Sequence, residues 1–173
     1  MYLISAYFDE NTNRVLKGYI EKVAKATGND FMVANHVPPH LTMSAIEARS
    51  VDVLVPAFEK LDSKISRGDI SLITVGQLMP KVLYVSPYLN EYLQNLEQQV
   101  FDCFKDIPNT TISSCYRPFS WLPHITLAKT LTREQMLAAV QVMENFKSLD
   151  ASIVGLGLAK VNPHQDVRLI DLH

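Results

Sequence analysis

The sequence has few cysteines, no excess of basic residues and no long apolar run, and each absence excludes a class of protein. Only two cysteines, Cys103 and Cys115, occur among 173 residues, and they form no C-x-x-C pair. Reduced thiols in a cytoplasmic protein are therefore expected, without a disulfide framework or a thiolate metal site. The formal charge of −2 argues against binding along duplex DNA, which needs many Lys and Arg contacts to phosphates. A small anionic ligand or a single-stranded end remains compatible with this charge.

The N-terminal residues lack the features of a targeting segment. Residues 1–9 have no basic n-region and only a short apolar run, so they predict a first strand and not a signal peptide. No apolar run approaches the roughly 18 residues that cross a bilayer. With 47% hydrophobic residues, a chain of this length is expected to fold alone, as a monomer without a membrane partner.

One short pattern, Pro-His-aliphatic-Thr-aliphatic, occurs twice, around His40 and around His124. On a β-strand, successive side chains point to opposite faces, so His40 and Thr42 share one face and the aliphatic residues share the other. His124 and Thr126 alternate in the same way. Each strand would present an imidazole and a hydroxyl together, from a backbone held on its reverse side by aliphatic packing.

Periodicity and end signals predict strands alternating with helices. The predicted strands cover residues 2–8, 40–47, 69–78, 82–88, 151–161 and 167–172, with one more at the second motif. The predicted helices cover about 12–27, 50–66, 90–105 and 132–146. Pro56 would clash with a preceding helical turn, so regular helix is expected there only from near Val55. The Ser/Thr-rich segment 106–122 predicts irregular structure or an edge strand.

The repeat is longer than the motif. The histidines at positions 40 and 124 are 84 residues apart, and a shift by that distance brings the helix that begins near Ser50 close to the one that begins at Thr132. The strands near Ile70 and Val82 fall on the last two predicted strands.

These elements predict an α+β fold with a pseudo-two-fold repeat. We expect a single domain over 1–173 with two lobes, about 1–89 and 90–173, because no low-complexity linker separates the halves. Antiparallel sheets flanked by helices would then place the two motif strands across a central cleft.

Two H-x-T motifs about eighty residues apart, each on a predicted strand, resemble the two-histidine (2H) phosphoesterase superfamily, especially its 2′-5′ RNA ligase-like (LigT-like) branch. The resemblance covers essentially the whole chain, and of five histidines only the two in the motifs have Thr two residues later. It implies that His40 and His124 are the catalytic pair and that Thr42 and Thr126 contact phosphate. It also implies a bilobal α+β fold with the motifs along the cleft.

Two groups that titrate near neutrality suffice for phosphodiester hydrolysis, because one proton leaves the attacking water and another reaches the leaving oxygen. The expected activity is that of a metal-independent, cofactor-free phosphoesterase. Its substrate would be a 2′,3′-cyclic phosphate or 2′-5′ phosphodiester at an RNA terminus or in a small nucleotide. The reverse reaction, with a nucleic-acid hydroxyl replacing water, would form a 2′-5′ linkage. Which histidine is the base stays open.

Other residues near the motifs are further candidates. Tyr116, Arg117 and Trp121 precede the second motif and are predicted to contact substrate, by stacking on a base or binding phosphate, with core packing as the alternative for the aromatic residues. Lys129 has the opposite strand parity to the motif histidine, so it is expected to point away from the cleft unless the strand has ended. For Tyr84, cleft and core are both open.

Two other functions are compatible with the sequence. His36, His40 and His164 would permit a metal site, but Pro38 and Pro39 prevent the helical i, i+4 spacing that pairs of metal ligands use. No third ligand has characteristic spacing. The other alternative is a non-catalytic nucleotide- or RNA-binding module on the same fold.

Overall fold

The computed structural model describes residues 1–78, 80–161 and 163–173, which form an eight-stranded sheet with helices packed on it. The strands are β1 (Tyr2–Phe8), β2 (Leu41–Glu47), β3 (Gly68–Leu78), β4 (Val82–Pro87), β5 (Thr111–Ile112), β6 (Ile125–Ala128), β7 (Leu149–Lys160) and β8 (Gln165–Asp171). The helices are α1 (Glu10–Thr27), α2 (Phe31–Ala34), α3 (Val55–Glu59), α4 (Glu91–Phe104) and α5 (Arg133–Val142). The α+β fold is confirmed, and no helix within these ranges is long and apolar enough to cross a bilayer.

Strand β7 lies at the centre of the sheet. The strand order is β5-β2-β1-β7-β3-β4-β6, and β8 adds to β7. One edge of β7 pairs antiparallel with β1 over residues 153–160. Its other edge pairs with β3 over 149–153 and then with β8 over 155–160. Because β7 is long enough to pair with all three strands, it joins the two groups of strands that carry the motifs.

The two halves of the sequence exchange strands in space. β2, from the first half, lies on the side of the sheet that contains β7 and β8 from the second half. β6, from the second half, lies beside β4 from the first half. The 84-residue shift still brings β2 onto β6, β3 onto β7 and β4 onto β8. Position 89 therefore separates two copies of a sequence pattern, and the ranges 1–89 and 90–173 do not form two separate sheets.

Caps and apolar stripes define the two long helices. The Asp9 carboxylate accepts a hydrogen bond from the Thr12 backbone N–H at 2.9 Å, and Gly28 ends α1 with a left-handed φ of 68°. In α4, the Asn90 side chain accepts from the Leu93 N–H. Each helix buries one stripe of side chains at helical spacing: Leu16, Ile20 and Val23 in α1, and Leu93, Leu96, Val100 and Phe104 in α4.

Two helices are shorter than the periodicity predicts. The region 50–66 contains a 3₁₀ turn at Val51–Val53 followed by α3, because Pro56 fits only in the first turn of a helix. Thr132 and Gln135 form a capping box at the start of α5, but the helix ends at Val142. The segment 106–122 contains only β5 and a 3₁₀ turn, in agreement with its irregular composition.

Two glycines leave room for tyrosine rings on other strands of the sheet. A Cβ atom at Gly157 would lie 2.5 Å from the Tyr7 ring and 2.8 Å from the Asp166 carboxylate. A Cβ atom at Gly76 would lie 2.3 Å from the Tyr84 ring. Each ring therefore packs directly against the backbone of another strand, at a place where a larger residue would displace it.

Gly157→Ala should destabilise the protein by about 1–3 kcal/mol, because the added methyl group overlaps the Tyr7 ring. The matched control is Gly18→Ala in α1, where an added Cβ meets no atom within 4 Å. The control should gain about 0.5–1 kcal/mol from helix propensity. Urea unfolding of both variants measures the difference, and equal stabilities would contradict the close packing at Gly157.

Candidate active site

The motif histidines lie immediately before their strands, His40 before β2 and His124 before β6. On the opposite face, the aliphatic residues of both motifs are buried in the core: Leu41, Met43, Ile125 and Leu127. Strand alternation therefore directs Thr42 and Thr126 to the face that the histidines share, as the sequence predicts.

Both motif histidines are held in the same way. The Nδ1 atom of His40 lies 2.8 Å from the Pro38 carbonyl oxygen, and that of His124 lies 2.9 Å from the Leu122 carbonyl oxygen. A carbonyl oxygen only accepts, so Nδ1 carries the hydrogen in each ring. The lone pair of the neutral imidazole is then on Nε2. Each histidine thus offers Nε2 as its proton-transfer atom, from a ring fixed by a carbonyl two residues earlier.

Residues of both motifs line one cavity of about 460 Å³. His40 comes from the first motif and Thr126 from the second, and Lys129 and His164 add two more basic groups. The remaining wall includes apolar side chains of β1, α2 and the loop after α2: Leu3, Phe31, Met32 and Val37. The cavity therefore brings the imidazole of the first motif, the hydroxyl of the second and two further basic groups together beside an apolar surface, whereas His124 and Thr42 do not line it.

Burial lowers the pKa of His40 to about 4. Positive charge on His164 or His124 acts in the same direction, whereas the Pro38 carbonyl and the Asp166 carboxylate act in the opposite one. His40 is therefore neutral at pH 7, and its Nε2 can accept a proton.

A polar cluster of Tyr7, His164 and Asp166, the Tyr7 cluster, packs against His40. The Tyr7 hydroxyl donates to Asp166 Oδ1 at 2.6 Å and lies 3.1 Å from His164 Nε2. The His164 ring centroid is 5.3 Å from that of His40, and the Tyr7 ring meets His40 edge-on at 6.5 Å. Burial, reinforced by Asp166, raises the pKa of Tyr7 far above its usual value, so Tyr7 stays a hydrogen-bond donor.

Tyr84 lies beside the second motif histidine. Its ring meets His124 edge-on, with centroids 5.5 Å apart, and the residue pairs with Thr126 across β4 and β6. The sequence left Tyr84 between cleft and core, and the structure places it at the cleft. Each motif histidine thus has a tyrosine from the neighbouring strand against its ring.

Two of the three predicted substrate-contact residues touch Thr42. The Trp121 indole N–H donates to the Thr42 carbonyl at 3.0 Å. Burial raises the pKa of Tyr116, with Cys115 acting in the same direction and the nearby Thr42 side chain opposing it. Both aromatic side chains are partly buried against the core, whereas Arg117 is exposed. Trp121 and Tyr116 support the first motif from the segment before the second, and their contact with substrate stays a prediction, as does that of Arg117.

The sequence model of the 2′-5′ RNA ligase superfamily matches residues 14–165. The chain belongs to this superfamily, of the two-histidine phosphoesterase type. Among solved structures, it is similar to TT0787 of Thermus thermophilus, with a TM-score of 0.66 and 15% identity over 99% of this chain and 97% of that one. Escherichia coli LigT complexed with NADP⁺ gives a TM-score of 0.62 and 13% identity over 99% and 96%. At such identities these likenesses show the shared fold. No curated protein matches the sequence.

In this 2′-5′ RNA ligase superfamily member, Lys129 lies at the cavity, which is the exception that the sequence allows if the strand ends before this residue. β6 ends at Ala128, so strand alternation no longer sets the direction of the next side chain. The Lys129 ammonium lies 4.3 Å from the Phe31 ring centroid and lines the cavity with His40. It brings positive charge to the space between the motifs.

The Tyr7 cluster was missed by sequence reasoning because its members are far apart in the chain. The sequence suggests His164 only as a metal ligand together with His36, yet these two histidines line different cavities. Within the described ranges, no group of three or more His, Cys, Asp or Glu side chains has a metal-binding arrangement. Tyr7 in β1 and the His-x-Asp sequence at the start of β8 are the available signals.

The stability of the protein should fall as pH decreases from about 6.5 to about 4, in part because of His40. Its usual pKa of 6.5 applies in the unfolded chain, and its folded pKa is about 4, so the unfolded state binds more protons between these values. His40→Asn should lose this part of the decrease. Urea unfolding at several pH values tests the difference, and an unchanged slope in the variant would contradict it.

Proposed function

We propose that this protein is a metal-independent phosphoesterase acting on a 2′,3′-cyclic phosphate or a 2′-5′ phosphodiester of RNA or of a small nucleotide. The observation that carries the proposal is the matched pair of imidazoles. His40 and His124 each donate Nδ1–H to a carbonyl two residues earlier and each present Nε2 for proton transfer. Two such groups can remove one proton and supply another at phosphorus without any other catalyst. We further propose that the protein is a monomer and that it acts in the cytoplasm.

His40 is the general base and His124 the general acid for hydrolysis. The lowered pKa of His40 keeps it neutral, so its Nε2 takes a proton from the attacking water while the water oxygen forms the new P–O bond. The leaving ribose oxygen keeps the electrons of the P–O bond that breaks and takes a proton from protonated His124. In the reverse direction these roles exchange, and a ribose hydroxyl is joined to the phosphate.

Three further groups balance the charge that grows on the non-bridging phosphate oxygens. Thr126 lines the cavity, and Thr42 lies on the face of β2 that the first histidine shares. Their hydroxyls donate hydrogen bonds, and Lys129 supplies a full positive charge. Trp121 holds the backbone at Thr42, so this donor is positioned before substrate arrives.

Nucleotide binding by a protein of the same fold supports the class of substrate. Escherichia coli LigT has been solved with 3′-AMP, at a TM-score of 0.60 and 13% identity over 99% of this chain and 97% of that one. The same protein has been solved with NADP⁺ and with ATP. We extend nucleotide binding to this chain because its cavity combines basic groups with an apolar wall.

His40→Ala and His124→Ala should each lower kcat/KM by about 10²–10⁴-fold, since each removes one proton-transfer group. The double variant should be little worse than either single one, because the two groups act in one step. The assay is hydrolysis of 2′,3′-cyclic nucleotides and 2′-5′ dinucleotides in EDTA. His36→Ala is the control, since His36 lines a different cavity.

Activity that survives in both single variants would overturn the two-histidine mechanism. Wild-type activity that disappears in EDTA would favour metal-dependent hydrolysis instead. Tight binding of these ligands without turnover by the wild type would favour the non-catalytic binding module.

The acid limb of the pH profile of kcat/KM should lie near pH 4, well below the 6.5 usual for histidine, because the base must be neutral to act. Asp166→Asn should move this limb to still lower pH, since the Asp166 charge raises the pKa of His40. A limb near pH 6.5, or one that moves upward in the variant, would contradict His40 as the base.

A further inference from the structure

A second cavity, also of about 460 Å³, lies between α4 and the segment before the second motif. Glu97 and neighbouring amide side chains of α4 form one side, and Pro118, Phe119 and Trp121 form another. Trp121 connects this cavity to the active site, because its indole N–H donates to the Thr42 carbonyl. Trp121 therefore contacts both the first motif strand and this cavity.

Glu97 is a buried acid on the apolar stripe of α4. It follows Leu93 by four residues and precedes Val100 by three, and it is only 5% exposed. Its Oε1 atom has no hydrogen-bond partner among the residues described. Burial, with a contribution from Asp102, raises its pKa to about 7. A buried oxygen without a donor costs stability, so a ligand that supplied a donor to this oxygen would be favoured.

Phe119 is held in an unfavourable conformation at the same cavity. Its φ of 64° lies in the left-handed region, which is rare for a bulky residue, and its side chain is fully exposed. Strained backbone that presents an aromatic ring to solvent is typical of a binding site. Phe119 and Trp121 together give the cavity two aromatic rings beside one unpaired acceptor.

We propose that this cavity binds a nucleobase of the substrate, stacked on the aromatic side chains, with an exocyclic amino group donating to Glu97. The ligand class is an amino-bearing base (adenine, cytosine or guanine). Uracil is disfavoured because it has a carbonyl oxygen where cytosine has the amino group, and two acceptors repel. This binding role depends on the proposed phosphoesterase function only in that the ligand is a nucleotide.

Fluorescence of Trp121, the one tryptophan of the chain, reports occupancy directly. CMP and UMP are matched probes, because they differ only in the edge that would meet Glu97. At pH 8, above the Glu97 pKa of about 7, CMP should quench at about tenfold lower concentration than UMP. Equal midpoints for the two nucleotides, or no quenching by either, would overturn the proposal.

Two variants separate stacking from base recognition. Phe119→Ala should weaken CMP and UMP alike, by about tenfold, with their ratio retained. Glu97→Gln should bring the ratio close to one, because an amide can both accept and donate. Glu91→Gln, an exposed position at the start of α4, is the control and should keep the wild-type ratio. An unchanged ratio in Glu97→Gln would overturn the assignment of Glu97.

Glu97→Met distinguishes a binding acid from a structural one. Removing an unpaired buried carboxyl should raise the melting temperature by about 3 °C while abolishing the preference for CMP. A lower melting temperature with the preference intact would show a structural role and overturn the proposal. His40→Ala should keep the CMP preference even without turnover. Failure of the nucleobase proposal and failure of the hydrolytic mechanism therefore give different results.

Discussion

The pairing of β7 with strands from both halves of the chain holds the two motif strands beside one cavity. β7 pairs with β1 on one edge and with β3 and β8 on the other. The motif strand β2 pairs with β1, and the motif strand β6 pairs with β4, which is the neighbour of β3. Each motif strand is thus tied to β7 through backbone hydrogen bonds of intervening strands, which resist displacement more than side-chain contacts do. The proposed mechanism needs such a fixed separation, because in it two groups act on one phosphorus atom.

The motifs repeat, but their surroundings differ, and in the proposed mechanism this difference separates the base from the acid. His40 packs against the Tyr7 cluster, and burial keeps it neutral. His124 has Tyr84 at its ring and lies outside this cluster. The repeat supplies the pair, and in the mechanism we propose the burial of His40 makes it the base.

The face of the sheet under the site carries polar groups that a purely structural core would avoid. Ser5 and Ser44 are buried, and their hydroxyl oxygens have no partner within the described part of the chain. Gly157 and Gly76 let tyrosine rings pack directly on the backbone of this sheet. Buried hydroxyls without a partner lower stability and are typical of functional surfaces, where binding takes precedence over stability.

Local sequence was enough to predict the two motif strands and the pairing of each imidazole with a hydroxyl, because these depend on residues close together in the chain. Comparison of the two halves of the sequence was enough to predict the 84-residue repeat. Tertiary structure decided the rest. Lys129 reached the cavity because β6 ended one residue earlier. Tyr7 contacts His164 because β1 and β8 flank β7, although the two residues are 157 positions apart. Where a strand ends and which strands become neighbours are set by long-range pairing, which side-chain periodicity does not encode.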